Sequence, residues 1–354
     1  MRRLLSAIVA VLAVGSAQAQ SNWAKVPVPV YNPTHFAQGV YRHWALPQAL
    51  EFSAHSAALT VSVQALCDAP AADGAKRLDA ARLAWRASVL SWDGLSAVAI
   101  GPLIERRSQR QIDFNPTRPA LIAKAIEAAP ADDLAMERVG TPAKGLPALE
   151  WLLWQQPLPP GSTACAYAAQ VAADIAREAA ALSAAFRQAA DRDWDDEPAA
   201  AAAMGEIVNQ WIGGIERLRW AQLEKPLKSA SAQRPVYARA LSAGSAASWC
   251  AQWQSLRRLG VFSADAVPSP GAALVPLESY LRGKGRNTVA DALVRTSGRV
   301  DAAFKVLQGA ARRPPTAAHV QGASTQLAAL KRVAESEMAP ALQVSIGFSD
   351  ADGD

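Results

Sequence analysis

The sequence predicts an all-α protein built as two helical-bundle halves packed together. Two observations carry that reading. Apolar residues recur with the helical period in nearly every patterned segment, and alternating strand patterns are missing. Met204, Ile207, Val208, Trp211, Ile212, Ile215 and Leu218 form one continuous stripe. Tyr167, Val171, Ile175, Ala179, Leu182 and Phe186 form another, and Val289, Leu293, Val300, Phe304 and Leu307 a third.

In chain order, residues 1–19 read as a cleavable secretory leader. Arg2 and Arg3 precede a short apolar run that closes on the small-residue pattern Ala17, Gln18, Ala19. The run is too short to span a bilayer, and no later segment offers the uninterrupted apolar length of a membrane helix. No cysteine sits next to the cleavage point, which argues against a lipid anchor there. The expected location is the periplasm. V-P-V-P-V, from Val26 to Val30, reads as an extended arm, because proline cannot donate to a β-ladder.

Helices are then expected over 33–67, 74–100, 118–129, 145–155, 162–191, 199–224, 235–259, 286–310 and 316–339, joined by loops rich in Pro, Gly, Ser and Asp. Pro47 should kink or split the first of them near His43 to Leu46. D-R-D-W-D-D-E-P, from Asp191 to Pro198, puts acidic residues and a proline at the start of a new helix, where the positive helix end favours both. Helix capping explains this run better than a calcium loop does. The division between an N-terminal bundle (20–195) and a C-terminal bundle (196–354) is placed there, and similar helix counts on either side suggest an internal duplication. The acidic ending from Gly347 to Asp354 stops before a calcium loop would close, and reads as a frayed tail or docking segment.

Composition narrows the function. With 51% hydrophobic and 19% charged residues the chain can bury a sizeable core. Losing Arg2 and Arg3 with the leader leaves 34 basic against 31 acidic residues, scattered along the chain, so nucleic acid is not an expected partner. A Walker loop, a dinucleotide fingerprint, a G-x-S-x-G elbow and a C-x-x-C pair are all missing. The histidines, His35, His43, His55 and His319, lack the H-E-x-x-H spacing of a zinc protease and read as surface or packing residues. Three cysteines in an oxidising compartment suggest one disulfide and one leftover thiol. Cys67 and Cys165 both sit at helix ends, so position favours that pair, with Cys250 free and buried. Spacing alone does not fix connectivity.

One stretch stands out. In G-L-P-A-L-E-W-L-L-W, from Gly145 to Trp154, Glu150 is the single charge among apolar neighbours. A carboxylate so placed either faces a polar cavity or is paired inside the bundle, because an unpaired buried charge costs several kcal/mol. Trp85 and Trp92 share one helix face, and the following R-R-S-Q-R-Q-I-D-F segment carries Arg110 and Asp113. Those two could meet an anionic ligand, neutralise Glu150, or form a plain surface ion pair.

These pieces together resemble the imelysin family. Gly145 to Glu150 is similar to that family's G-x-H-x-x-E helix in its G-x-P-A-L-E variant. The similarity extends through the Trp85-to-Trp92 helix, the segment from Arg110 to Phe114, the C-A-Y opening at Cys165 and the terminal G-F-S-D-A-D-G-D. The resemblance implies an all-α fold of two bundle-like halves with a site between them around the motif helix. It further implies a link to bacterial iron uptake, and a metallopeptidase assignment for the family. In G-x-H-x-x-E the histidine and glutamate share a helix face and could share a metal. Here Pro147 holds the histidine position, so Glu150 is the single motif ligand retained.

The leading expectation is therefore a non-catalytic periplasmic protein that binds a ligand in a cleft between the halves, with Glu150, Arg110, Asp113, Trp92 and Trp85 as its site. Iron or another metal is the candidate cofactor, none firmly implied, and iron-uptake components are the candidate partners. Two rival readings are a metallopeptidase with an altered metal site and a helical interaction protein of an iron-uptake system.

Overall fold

Pro47 shapes the entrance to the fold. In the computed structural model, which describes residues 27–229, 235–263, 267–309 and 315–347, helix α1 (Pro33–Val40) passes through a π-helical turn at Tyr41–Ala45 into α2 (Leu46–Cys67). Proline lacks the N–H that would bond an upstream carbonyl and crowds that carbonyl. The chain widens by one residue before it, and the Gln48 side chain donates to the Trp44 carbonyl at 3.0 Å. Asn32 caps α1, accepting from the His35 backbone N–H at 2.9 Å, while Nδ1 of His35 accepts from the Asn32 N–H.

After α2 come α3 (Gly74–Ser96), two short helices α4 (Pro102–Glu105) and α5 (Ser108–Ile112), then α6 (Pro119–Ala128) and α7 (Asp133–Glu137). The motif helix α8 (Gly145–Trp154) and the long α9 (Thr163–Asp191) follow. Helices α2, α3, α8 and α9 pack on one another. A disulfide between Cys67 and Cys165 joins the end of α2 to the start of α9 with Cα atoms 5.5 Å apart, as position predicted, and Cys250 is free and buried.

The acidic run before α10 (Glu197–Glu216) is a cap: the Asp196 side chain accepts from the Ala199 N–H, and Pro198 lies in the first turn. A π-helical stretch, Arg217–Glu224, leads into α11 (Lys225–Ser229). Then follow α12 (Ser245–Gly260), α13 (Leu277–Gly283), α14 (Asn287–Gly309), α15 (Ala317–Val333), a π turn at Ala334–Met338 and α16 (Ala339–Leu342). Helix α14 packs on α15, α12 lies against both α3 and α14, and α1 packs on α10, so buried side chains on either side of the 195/196 point join one continuous core. Gly214 makes close approach possible there, since a Cβ at this position would sit 2.2 Å from the Ala97 carbonyl oxygen.

The all-α expectation holds: among the described residues every regular element is helical. No described helix is long and apolar enough to cross a membrane. Two helix boundaries and four short helices differ from the sequence reading. The expected helix 74–100 ends at Ser96, and Gly101, with φ +44°, turns the chain just before α4. Helices α4, α5, α7 and α13 are too short to show a period. The expected helix 235–259 begins only at Ser245, because Arg239 and Ala243 adopt positive φ (63° and 55°), which ends helical continuation. The leader, Val26 of the extended arm, and residues 348–354 of the acidic tail lie outside the described residues.

Candidate functional site

The motif helix starts where only glycine fits. Gly145 has φ +79°, and a Cβ on it would lie 2.5 Å from the Ile112 carbonyl oxygen and 2.8 Å from that of Gln111. That close approach seats the α5 segment against α8. Asp113 follows directly and enters a buried charge cluster. Pro147 sits in the first turn of α8, where a missing N–H costs no intrahelical bond. The Trp85 indole N–H donates to the Leu146 carbonyl at 3.1 Å.

Glu150 is buried, and its Oε1 accepts from the Ser242 backbone N–H at 2.9 Å and from the Ser242 hydroxyl at 2.7 Å. Beside it Arg239, 3% exposed, donates to Asp113 at 2.7 Å and lies 3.6 Å from Asp93. The Trp92 indole N–H also donates to Asp113, at 3.2 Å. Burial acts to lower the Arg239 pKa, but Asp113, Asp93 and Glu150 outweigh it, so the guanidinium is held charged above its ordinary range. Burial pushes the Asp93 carboxyl up to about 7, against Arg239 and a Ser248 hydrogen bond, and with Asp113 adding to the rise. One Asp93 oxygen, Oδ2, and the Arg239 Nε are buried without a hydrogen-bond partner. Three carboxylates thus share one guanidinium.

The structure brings together four of the five residues singled out in the sequence. Glu150, Asp113 and Trp92 belong to this cluster, and Trp85 braces it from below α8, packed edge-on against Trp154 with centroids 5.1 Å apart. Arg110 is exposed on α5 instead. The cation that meets Asp113 is Arg239, and Glu150 takes its hydrogen bonds from Ser242. The sequence reading missed Arg239, Ser242 and Asp93. Two signals could have found them: Asp93 stands four residues after Val89 on the core face of α3, and S-A-G-S before an apolar run marks a helix start rather than a helix interior.

A metal, which the family resemblance implied, does not suit these residues. Pro147 offers no lone pair, the positive charge among the carboxylates is already supplied by Arg239, and among the described residues no three His, Cys, Asp or Glu side chains converge as a metal set.

A wide opening lies elsewhere. A cleft of about 750 Å³ runs between α2, α3 and α12. Its polar walls are Gln48, Glu51 and His55 from α2, Ser91 from α3, and Gln254 and Arg258 from α12; Ala87, Gly94, Ala246, Ala247 and Ala251 leave the space open by being small. Glu150, Arg110, Asp113, Trp85 and Trp92 are not among its lining residues. Helix α3 therefore carries both features, the buried cluster through Trp92 and Asp93 and the cleft through Ala87, Leu90 and Ser91. Nδ1 of His55 is buried without a hydrogen-bond partner, and burial pushes the nearby Cys250 thiol up to about 11, with Gln308 opposing. A thiol so placed is a poor nucleophile at neutral pH.

An all-α chain with a glycine-started motif helix tied to the 237–244 turn by a buried ion cluster, and with a separate cleft between α2, α3 and α12, is a helical protein of the imelysin-like class. The imelysin family model matches residues 45–336, and the chain belongs to that family. Among solved structures, it is similar to an imelysin-like protein from Psychrobacter arcticum (20% identity, TM-score 0.71, covering 91% of this chain and 100% of that one). It is also similar to a protein described as an iron-regulated protein A precursor from Parabacteroides distasonis (14% identity, TM-score 0.65, 85% and 93% covered). At these identities the likeness is one of fold. No protein with a curated description matches the chain.

Proposed function

We propose that this is a non-catalytic, periplasmic imelysin-family protein that binds a ligand in the cleft between its two helical halves, in an iron-linked role. The observation that carries the reading is the cleft of about 750 Å³, a volume suited to a small-molecule ligand, with polar groups from α2, α3 and α12 converging on a floor of small residues. The buried cluster around Glu150 then acts as the joint that holds α3, α5 and α8 to the 237–244 turn, because its charges already answer one another. The iron link rests on the printed description of the Parabacteroides neighbour and on the family resemblance. The periplasmic placement rests on the leader pattern and on the Cys67–Cys165 disulfide, a bond that persists in oxidising compartments.

Calorimetric titration with ferric citrate and with haemin tests this. Ala247 is exposed and lines the cleft, so Ala247→Trp fills it without disturbing the core. Binding of either probe that is lost in Ala247→Trp and kept in Glu150→Gln supports the cleft. Binding lost in Glu150→Gln and kept in Ala247→Trp moves the site to the motif and overturns the proposal, and failure of both probes to bind removes its iron link.

A further inference from the structure

Helix α2 is apolar on nearly every side. Among its 22 residues Glu51 is the one formal charge, and it lines the cleft. Phe52, Leu59, Val63 and Leu66 face the core, as the helical period requires. The opposite side is apolar as well. Leu50, Ala54, Ala57 and Val61 recur at spacings of four, three and four, which stacks them on one face. All four are exposed, Val61 by 69% and Leu50 by 38%. A surface helix ordinarily turns polar residues to water, and a helix apolar all round is ordinarily covered.

Helix α9 extends this face. The Cys67–Cys165 bond joins the end of α2 to the start of α9, so the two run antiparallel, and the Thr60 hydroxyl donates to the Ala172 carbonyl at 3.1 Å. Beside that contact Ala169, Ala173, Ala176 and Ala180 repeat the spacing of four, three and four, partly or fully exposed. The charges of this stretch turn away: Asp174 and Arg177 pair with Lys144 and Asp133, and Glu178 with Arg106. At 1.5 Å per residue α2 is about 33 Å long, and two adjacent helices span about 20 Å, so the shared face measures about 700 Å². A stable interface buries about 800 Å² per partner.

The symmetry of the face says what covers it. A two-fold dimer needs a patch that complements itself when reversed, and the spacing four, three, four reads the same in both directions. On α2 the larger residues stand at the ends and the alanines at the centre. In an antiparallel pair Leu50 of one protomer therefore meets Val61 of its partner, while the alanines let the helix axes approach. The α2 stripe is centred between Ala54 and Ala57, the α9 stripe between Ala173 and Ala176. Counted from the disulfide, the two centres differ by two residues, about 3 Å of helix rise, so one axis serves both.

We propose that two copies of this chain dimerise through the outer face of α2 and α9, each helix lying antiparallel on its counterpart about a two-fold axis at the centre of both stripes. Sedimentation velocity of the whole protein from about 0.5 to 50 μM tests it, with a dimer expected at the upper end. Ala57→Arg brings a cation from each protomer towards the axis and should weaken the dimer by at least about tenfold. Ala57 is exposed, so the helicity by circular dichroism should match the parent. Leu83→Arg, at an exposed apolar position on α3 outside the face, should leave the dimer intact. Ala54 of one protomer faces Ala57 of its partner, so oxidation of an equal mixture of Ala54→Cys and Ala57→Cys chains should yield a disulfide-linked heterodimer. A monomer throughout the concentration range, which would leave the face to some other partner, overturns the proposal. So does a dimer indifferent to Ala57→Arg, or a mixture that forms no cross-link.

Discussion

Replacing Arg239 by methionine would remove the single cation from a buried group of three carboxylates. Arg239 is 3% exposed, donates to Asp113 at 2.7 Å and stands 3.6 Å from Asp93. Deleting one partner of a buried pair costs about 3–5 kcal/mol, because the other is left uncompensated. Unfolding entropy near 2.1 cal/mol/K per residue over about 300 ordered residues converts that to a fall of roughly 5–8 °C in melting temperature. The loss should depend on pH. Without the guanidinium the carboxylates gain protons more readily in the folded than in the unfolded state, so the deficit is full at pH 8 and shrinks towards pH 5. Circular-dichroism melts of Arg239→Met and the parent at both pH values measure it. A melting temperature within a degree or two of the parent, or a deficit equal at pH 5 and pH 8, would refute the account of the cluster.

The remaining predictions follow from the same geometry. Because burial raises the Asp93 carboxyl to about 7, its contribution is present below the unfolded carboxylate range and lost as pH rises through about 7, so stability should decline by a few kcal/mol between about pH 4 and 7; in Asp93→Asn, denaturant titrations should show that decline flattened. Reduction of the Cys67–Cys165 bond, or Cys67→Ser with Cys165→Ser, frees a loop of sequence separation 98 and should cost about 4–5 kcal/mol in chemical denaturation; an unchanged midpoint would mean that the α2 and α9 ends stay held together without it. Gly145→Ala meets both a φ of +79° and the Ile112 carbonyl, so a loss of about 1–3 kcal/mol from backbone strain alone is expected in the same assay, and none if the α5 segment moves away freely.

Much of the fold was legible because burial imposes a period on sequence. The stripe from Met204 to Leu218 marks α10 and the π stretch after it, and Pro47 locates the π turn at Tyr41–Ala45 to within a residue or two. The turn before α12 was not legible. A-R-A-L-S-A reads as helix by propensity, yet Arg239 takes a left-handed backbone conformation whose reward is an ion pair with a residue 126 positions away. No local pattern reports such a pairing. Half of the charge cluster was visible, since Glu150 is conspicuous among apolar neighbours and Asp113 stands in the charged segment after the tryptophan helix, while Arg239 looks like any exposed helix residue. The cleft was hidden for a different reason: it exists through the smallness of Ala87, Ala246, Ala247 and Ala251, and alanine in a helix is ordinarily just a good helix former.

The central claim, that the ligand site is the cleft and the Glu150 cluster a joint, is tested most directly by amide hydrogen exchange of the protein with and without saturating ferric citrate or haemin, whichever binds. The account predicts added protection in the peptides covering Gln48–His55 and Ala246–Arg258, with the motif helix Gly145–Trp154 and the 237–244 turn unchanged. Protection confined to Gly145–Trp154 and Arg239–Ser242, with the cleft helices unaffected, would contradict it.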